Sequence, residues 1–227
     1  MNFIFLLTII FILQKLSFSN ISLNINKSKS FNSLTPININ IQTSDVKERI
    51  NPIDLILLVD NSGSMSGEKI KLVKEALSKL INFMGNEDKL TIIKFSYSSE
   101  LVLNSTIMDS DGKAKALDKL KEFNASGGTD IVSSIEMGFN QIKFHNYSSD
   151  DRFPTMILLS DGEDYHSTID KFKNLIEDNN DIIKQIPFNF HTLGFGFSHD
   201  AVLMYELSKI REGSYFPIYQ LSNIKNV

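Results

Sequence analysis

Residues 53–67 read Ile-Asp-Leu-Ile-Leu-Leu-Val-Asp-Asn-Ser-Gly-Ser-Met-Ser-Gly, an aliphatic run that stops at a carboxylate followed by two hydroxyls. Residues 55–59 are continuously aliphatic and lack the alternation of a strand that faces water on one side. Such a run is typical of a parallel strand that helices cover on both faces. The stretch therefore predicts a buried strand that ends at Asp60 and leads into an oxygen-rich loop.

A helix is expected directly after this loop. Between Glu68 and Met84, apolar residues recur at intervals of three and four, namely Ile70, Val73, Leu77, Leu80 and Ile81. In open α/β sheets, ligands bind beyond the carboxyl ends of the strands, which is where Asp60 lies. Strand, loop and helix together predict an α/β fold with a ligand site at this edge of the sheet.

Three residues of the loop carry side-chain oxygens at alternate positions: Asp60, Ser62 and Ser64. One carboxylate and two hydroxyls are hard ligands of the kind that Mg²⁺ takes, and Mg²⁺ keeps several positions for water or an incoming group. The same residue types also form ordinary turns and helix N-caps. The loop alone leaves both interpretations open.

The pattern Asp60-x-Ser62-x-Ser64, with Met65 and Gly67 after it, resembles the metal-ion-dependent adhesion site (MIDAS) of von Willebrand factor A (vWA) domains. The rest of such a site is expected from two later loops. Residues 125–130, Ala-Ser-Gly-Gly-Thr-Asp, supply Thr129, and residues 156–162, Met-Ile-Leu-Leu-Ser-Asp-Gly, supply Asp161 after a second aliphatic run. Three separated motifs in the right order are far more specific than any one of them.

The resemblance implies one bound Mg²⁺ or Mn²⁺, with Asp60 as its only directly bound carboxylate. Asp161 is expected to reach the ion through water, and Thr129 to join mainly when a partner is bound. Thr129 also precedes a predicted helix, so its alternative role is an N-cap. Integrin-type domains hold an adjacent ion with two carboxylates soon after the last loop serine, whereas this chain has Gly67 and Glu68 there. One ion is therefore expected.

The resemblance covers about residues 36–222 and implies a Rossmann-like, doubly wound sheet that is mostly parallel, with helices on both faces. One antiparallel edge strand is expected at residues 100–103. Other strands are expected at 89–95, 155–160, 188–194 and 214–217, and helices at 113–123, 130–143, 170–178 and 200–211. In the last helix we expect Val202, Leu203, Leu207 and Ile210 to face inward. A closing helix normally follows, but only residues 221–227 remain for it, so it is expected to be short or truncated.

Composition describes a globular chain of 227 residues, 42% hydrophobic and 22% charged, with a net charge of −4. Because the chain is mildly acidic and has no basic cluster, nucleic acid is not an expected partner. Cysteine is absent, which excludes both a disulfide framework and a thiolate metal site.

The amino terminus differs from the rest of the chain. Residues 3–13 are almost wholly apolar, and small polar residues follow, so residues 1–19 are interpreted as a secretory signal peptide. Residues 20–50 form an Asn/Ser-rich leader, in which alternation at 36–43 predicts an edge strand. The resemblance to vWA domains implies that this strand pairs with the margin of the main sheet. The domain proper is expected at 51–227. Export would expose Asn-x-Ser/Thr sequons at Asn20, Asn26, Asn104, Asn124 and Asn146.

The localisation that follows is secreted or extracellular, and an uncleaved leader acting as a membrane anchor is the alternative. The expected function is a metal-dependent protein-binding module for adhesion or assembly, whose partner presents an Asp or Glu to the ion. The alternatives are a phosphotransferase that uses Asp60 with Mg²⁺, or an inert scaffold. Aspartyl phosphotransfer favours a second carboxylate two residues on, and here that residue is Ser62. The four histidines, His145, His166, His191 and His199, are scattered singly, so we expect no enzyme.

Overall fold

The computed structural model describes residues 21–27, 37–43, 52–145, 152–162, 164, 169–196, 199–211 and 213–218. The strands among these residues are β1 (Ile21–Lys27), β2 (Ile37–Thr43), β3 (Ile53–Asp60), β4 (Lys89–Phe95), β5 (Ser99–Ile107), β6 (Phe153–Ser160), β7 (Asn189–Phe195) and β8 (Tyr215–Ile218). The α-helices are α1 (Glu68–Phe83), α2 (Ser110–Lys121), α3 (Ile131–Phe144), α4 (Ile169–Asp178), α5 (Asn180–Gln185) and α6 (Ala201–Ser208).

Six strands form the main sheet, in the order β5-β4-β3-β6-β7-β8. Only β5 runs antiparallel, and it lies at the edge beside β4. β3 pairs in parallel with β4 on one side and β6 on the other. This arrangement confirms the predicted fold class, a mostly parallel sheet with one antiparallel edge strand.

The core consists of two apolar layers, one on each face of the sheet. Leu55, Leu57 and Val59 of β3 pack with residues of α1 and α2. Ile56 and Leu58 pack with residues of α3, α4 and α6 on the opposite face. All eight residues of β3 are buried, which explains why residues 55–59 are continuously aliphatic and do not alternate.

The amino-terminal strand pairing differs from the expectation. A strand is present at Ile37–Thr43, but it pairs antiparallel with Ile21–Lys27 in a separate two-stranded sheet. The expected pairing with the main sheet is therefore wrong, because residues 21–27 carry a similar alternation and supply a partner closer in the chain. Residues 1–20 and 219–227, which carry the predicted signal peptide and closing helix, lie outside the described residues.

Two helix predictions are corrected. Val202 does not face inward: it is 72% exposed, whereas Met204 and Leu207 are buried. The inward face of α6 is set by its contact with β7, and Val202 lies on the opposite side of this short helix. A further helix, α5, was not predicted.

No helix in the described part of the chain is both long and apolar enough to cross a bilayer. Among the five sequons, the structure describes the side chains of Asn104 and Asn124, and both are exposed.

Candidate functional site

Asp60 ends β3 and is held by two neighbouring elements. Its carboxylate is fully buried. Oδ1 accepts a hydrogen bond from the Ser62 N–H at 2.8 Å, and Oδ2 accepts one from the hydroxyl of Ser160 at 2.5 Å. Ser160 in turn accepts a bond from the Gly162 N–H at 2.9 Å. The ends of β3 and β6 therefore fix this carboxylate from both sides.

A string of side-chain hydrogen bonds connects the loop after β3 with the loop after β6. The hydroxyls of Ser62 and Ser64 are 3.0 Å apart, and Ser64 donates to Oδ1 of Asp161 at 3.1 Å. An ionised carboxylate can only accept, so Ser64 gives its single proton to Asp161, and Ser62 is the donor between the two serines. Four predicted site residues, Asp60, Ser62, Ser64 and Asp161, are thus brought together.

Thr129, the fifth predicted residue, follows a glycine loop that is docked on the loop after β3. The Gly63 N–H donates to the Gly127 carbonyl at 2.9 Å, and the Ser126 N–H donates to the Asn61 carbonyl at 2.8 Å. Gly127 has a φ of +84°, a conformation that glycine adopts without strain. Thr129 is 7% exposed, and no hydrogen bond among the described residues uses its hydroxyl.

Thr129 is not the N-cap of α3, which was its alternative role. The N-cap of α3 is Asp130, whose side chain accepts a bond from the Ser133 N–H at 3.0 Å. Asp164, which the sequence left unassigned, accepts a bond from the Ile131 N–H at 2.9 Å. The acidic loop after β6 therefore supports the start of α3, next to Thr129.

Asn61, an unspecified position of the Asp60-x-Ser62-x-Ser64 pattern, connects these loops. Its N–H donates to the Phe95 carbonyl at the end of β4, and its side-chain amide donates to the Asn124 carbonyl at 2.9 Å. Asn61 thereby connects the loop after β3 to the neighbouring strand and to the glycine loop. An Asn directly after a buried strand was the available signal for this role.

The charges at the site are unevenly compensated. Burial raises the pKa of Asp60 to about 6, hydrogen bonds from Ser160 and Ser62 partly oppose this rise, and the negative charge of Asp161 adds to it. No salt bridge among the described residues involves Asp60. Asp161 instead pairs with Lys69, whose ammonium lies 2.7 Å from Oδ2.

Two contacts of the site were missed from sequence. Lys69 lies 92 residues from Asp161, and Ser160 lies 100 residues from Asp60. Ser160 directly precedes Asp161 at the end of a predicted strand, so its position at the edge could have been inferred. Lys69 carried no such signal, because a lysine in the first turn of a helix is ordinarily solvated.

The donor set consists of hard oxygens. No group of three or more His, Cys, Asp and Glu side chains suited to a metal occurs among the described residues. A cation at this edge would therefore depend on hydroxyl oxygens together with Asp60 and Asp161. Oxygen donors with few carboxylates fit Mg²⁺ or Mn²⁺ better than softer metals.

Comparisons with known proteins agree on the family. Residues 53–216 match the von Willebrand factor type A domain family. An uncharacterized protein of Synechocystis is 30% identical over 172 residues, which cover 75% of this chain and 39% of that protein. The mouse inter-alpha-trypsin inhibitor heavy chain 4 is 26% identical over 176 residues, or 75% of this chain and 18% of that protein.

A solved structure shares the fold. The von Willebrand factor type A protein from Catenulispora acidiphila superposes with a TM-score of 0.69 at 16% identity, covering 92% of this chain and 48% of that chain. The present chain spans well under half the length of the two curated relatives. The match of residues 53–216 establishes that this chain belongs to the von Willebrand factor type A domain family.

Proposed function

We propose that the domain is a metal-dependent protein-binding module. One Mg²⁺ or Mn²⁺ would be held by Asp60, Ser62, Ser64 and Thr129, with Asp161 acting through water. The partner would present an Asp or Glu side chain to the ion. The observation that carries the proposal is the hydrogen-bonded string that joins Asp60, Ser62, Ser64 and Asp161 at the carboxyl edge of the sheet.

The surroundings of Asp60 fit a cation. A buried carboxylate is costly unless it is paired, and no described basic side chain forms an ion pair with it. Its hydrogen bonds from Ser62 and Ser160 fix its orientation without neutralising its charge. Each carboxylate oxygen also has a second lone pair beyond the bond it already accepts. A cation would therefore relieve the burial penalty that raises the pKa of Asp60.

The serine hydroxyls suit the same role. Ser64 directs its proton to Asp161, and this leaves its oxygen lone pairs for Ser62 and for a cation. A bound divalent ion would supply an electrophilic centre that favours an anionic oxygen in its open position. With Asp60 as the only directly bound carboxylate, the inner sphere keeps about one net positive charge. A carboxylate oxygen from a partner's Asp or Glu should therefore bind the ion more strongly than a neutral oxygen would.

Family membership and similarity to an inter-alpha-trypsin inhibitor heavy chain support a binding role for the domain. Ser62 stands where aspartyl phosphotransfer would want a second carboxylate, which favours binding over catalysis. Fold and site do not name the partner. Export through residues 1–19, and hence action outside the cell, is part of the proposal.

The test is a pull-down with the full chain, run with Mg²⁺ and with chelator, comparing Asp60→Ala and Asp118→Ala. Asp118 is an exposed acid on α2 whose ion pair, within the part of the chain that the structure describes, is with the nearby Lys121, so its substitution controls for loss of one negative charge. The proposal expects a partner that is retained with Mg²⁺ by wild type and Asp118→Ala, and lost with chelator or in Asp60→Ala. Retention of the partner at full strength in chelator would contradict it.

A further inference from the structure

The ammonium of Lys69 forms an ion pair with Asp161, the second carboxylate of the site. Lys69 lies in the first turn of α1 and its Nζ is 2.7 Å from Oδ2 of Asp161. Asp161 is fully buried, and the Lys69 side chain is 22% exposed. The end of that side chain passes beside Gly196, where an added Cβ would lie 3.6 Å from Lys69 Cε. The lysine thus bridges α1, the loop after β6 and the loop after β7.

Asp161 accepts from different partners at its two oxygens. Ser64 donates to Oδ1, and Lys69 donates to Oδ2. Asp60 and Asp161 repel each other, since the charge of Asp161 contributes to the raised pKa of Asp60. The ammonium of Lys69 therefore supplies positive charge beside a pair of carboxylates that a divalent ion would otherwise neutralise.

We infer that Lys69 is an internal competitor of the metal: it neutralises Asp161 in the metal-free protein and sets how tightly the site binds a divalent ion. This inference rests on the proposed function, because it assumes that a cation binds beside Asp161. Two positive centres near one buried carboxylate repel each other, and burial weakens the screening of that repulsion. Metal binding should accordingly loosen the contact between Lys69 and Asp161.

A purely structural role makes the opposite prediction. If Lys69 only tethered α1 to the loop after β6, its removal would disorder the site and weaken metal binding. Under competition, removal of the ammonium strengthens metal binding, because one positive charge beside Asp161 has been removed. The sign of the change in metal affinity therefore separates the two roles.

The first experiment measures Mg²⁺ and Mn²⁺ affinity by titration calorimetry on the full chain, comparing wild type, Lys69→Met, Lys69→Arg and Lys71→Met. Lys71 is the matched control, because it lies on the same helix, is exposed, and among the described residues forms its ion pair with the neighbouring Glu68. We expect Lys69→Met to bind the metal about tenfold more tightly, and Lys69→Arg and Lys71→Met to stay near wild type. Thermal unfolding in chelator should show that Lys69→Met is less stable than wild type and gains more stability on addition of Mg²⁺.

The second experiment needs no substitution and covers the case in which Lys69→Met does not fold without metal. Amine labelling of the wild-type chain, read by mass spectrometry, should modify Lys69 slowly in chelator and several-fold faster with Mg²⁺, with Lys71 unchanged. Equal protection of Lys69 in both conditions, or weaker metal binding by a folded Lys69→Met, would overturn the inference. Failure of wild type and Lys69→Met alike to bind either ion would instead overturn the proposed function.

Discussion

The hydroxyl of Ser160 donates a hydrogen bond to Oδ2 of Asp60, although the two residues are 100 positions apart in the chain. β6 thereby holds the carboxylate that ends β3, while the N–H of Ser62 holds its other oxygen. Both donors are uncharged, so they orient the carboxylate without neutralising it. Burial raises the pKa of Asp60 to about 6, although these two hydrogen bonds partly oppose the rise. This acid lies at the edge of the sheet where the cation is proposed to bind.

The first prediction concerns Asp60→Asn, which removes the charge and keeps the shape. Calorimetry should show that Mg²⁺ binding is lost. In chelator at pH 7.5, urea unfolding should show a net change below about 1–2 kcal/mol, because the variant loses a buried unpaired charge while its amide accepts only one of the two hydrogen bonds that Ser62 and Ser160 donate. Asp118→Asn, at an exposed position, should change neither quantity. Unchanged Mg²⁺ binding in Asp60→Asn would defeat the ligand assignment.

The second prediction is a pH dependence of stability in chelator. The pKa of Asp60 is about 6 in the folded protein and its ordinary value is 3.8, so the folded state binds more protons between these values. Stability from this group therefore rises as pH falls through 6, opposite to the usual behaviour of a carboxylate. Between pH 7.5 and 5.5 the contribution is about 1 kcal/mol. Urea unfolding at both pH values should show this difference between wild type and Asp60→Asn, and parallel pH profiles would contradict it.

The same protonation should weaken metal binding. A proton and a divalent ion compete for Asp60, so Mg²⁺ affinity is expected to fall by roughly tenfold per pH unit well below pH 6. Calorimetric titrations at several pH values measure this slope directly. An affinity that does not change between pH 7.5 and 5 would argue against coordination through Asp60.

The third prediction separates the role of Thr129 from that of Asp60. Thr129→Ala should weaken partner binding while Mg²⁺ binding stays measurable, since the threonine is expected to join the ion mainly in the partner-bound state. Thr106→Ala, compared in protein made without glycosylation because it also removes the Asn104 sequon, is the control, since the Thr106 hydroxyl donates to the nearby Asn104 carbonyl on β5. Capture of the partner in Mg²⁺ measures partner binding, and calorimetry in the absence of the partner measures Mg²⁺ binding. Abolition of Mg²⁺ binding by Thr129→Ala in the absence of any partner would show the scheme to be wrong.

The fourth prediction concerns packing between α3 and the sheet. A Cβ at Gly138 would lie 2.5 Å from the sulfur of Met156 and 3.3 Å from Leu58 Cδ2. Gly138→Ala gains about 1 kcal/mol in helix propensity, but overpacking typically costs about 1–3 kcal/mol. We expect net destabilisation by urea unfolding. Asn140→Ala, at an exposed position of the same helix, should instead be neutral or slightly stabilising. A stabilised Gly138→Ala would contradict the prediction, because it would show that Met156 and Leu58 can move to make room for the added methyl group.

The fifth prediction is export. The apolar run at residues 3–13 and the small residues after it predict cleavage near Asn20. Amino-terminal sequencing of the protein produced in cells should find this new start. Recovery of an intact form beginning at Met1 from the cytosol would contradict export and would make the sequons irrelevant.

The fold class and most elements of the main sheet could be predicted from local sequence patterns. The aliphatic run 55–59 predicted a buried central strand because a strand covered on both faces has no polar side to alternate with. The helical spacing after Glu68 predicted α1. The resemblance of the three motifs to a vWA metal site predicted that Asp60, Ser62, Ser64 and Asp161 lie together, and the structure confirms that they do.

Only the tertiary structure decided the contacts between residues far apart in the chain. The bond from Ser160 to Asp60 depends on the parallel alignment of β3 with β6, and the pairing of Lys69 with Asp161 depends on how α1 is rotated over the sheet. The outward position of Val202 and the pairing of β1 with β2 also depend on which segments pack together in the folded chain. Local pattern specifies which face of a segment is apolar, but the neighbour that covers that face is selected by packing of the whole chain.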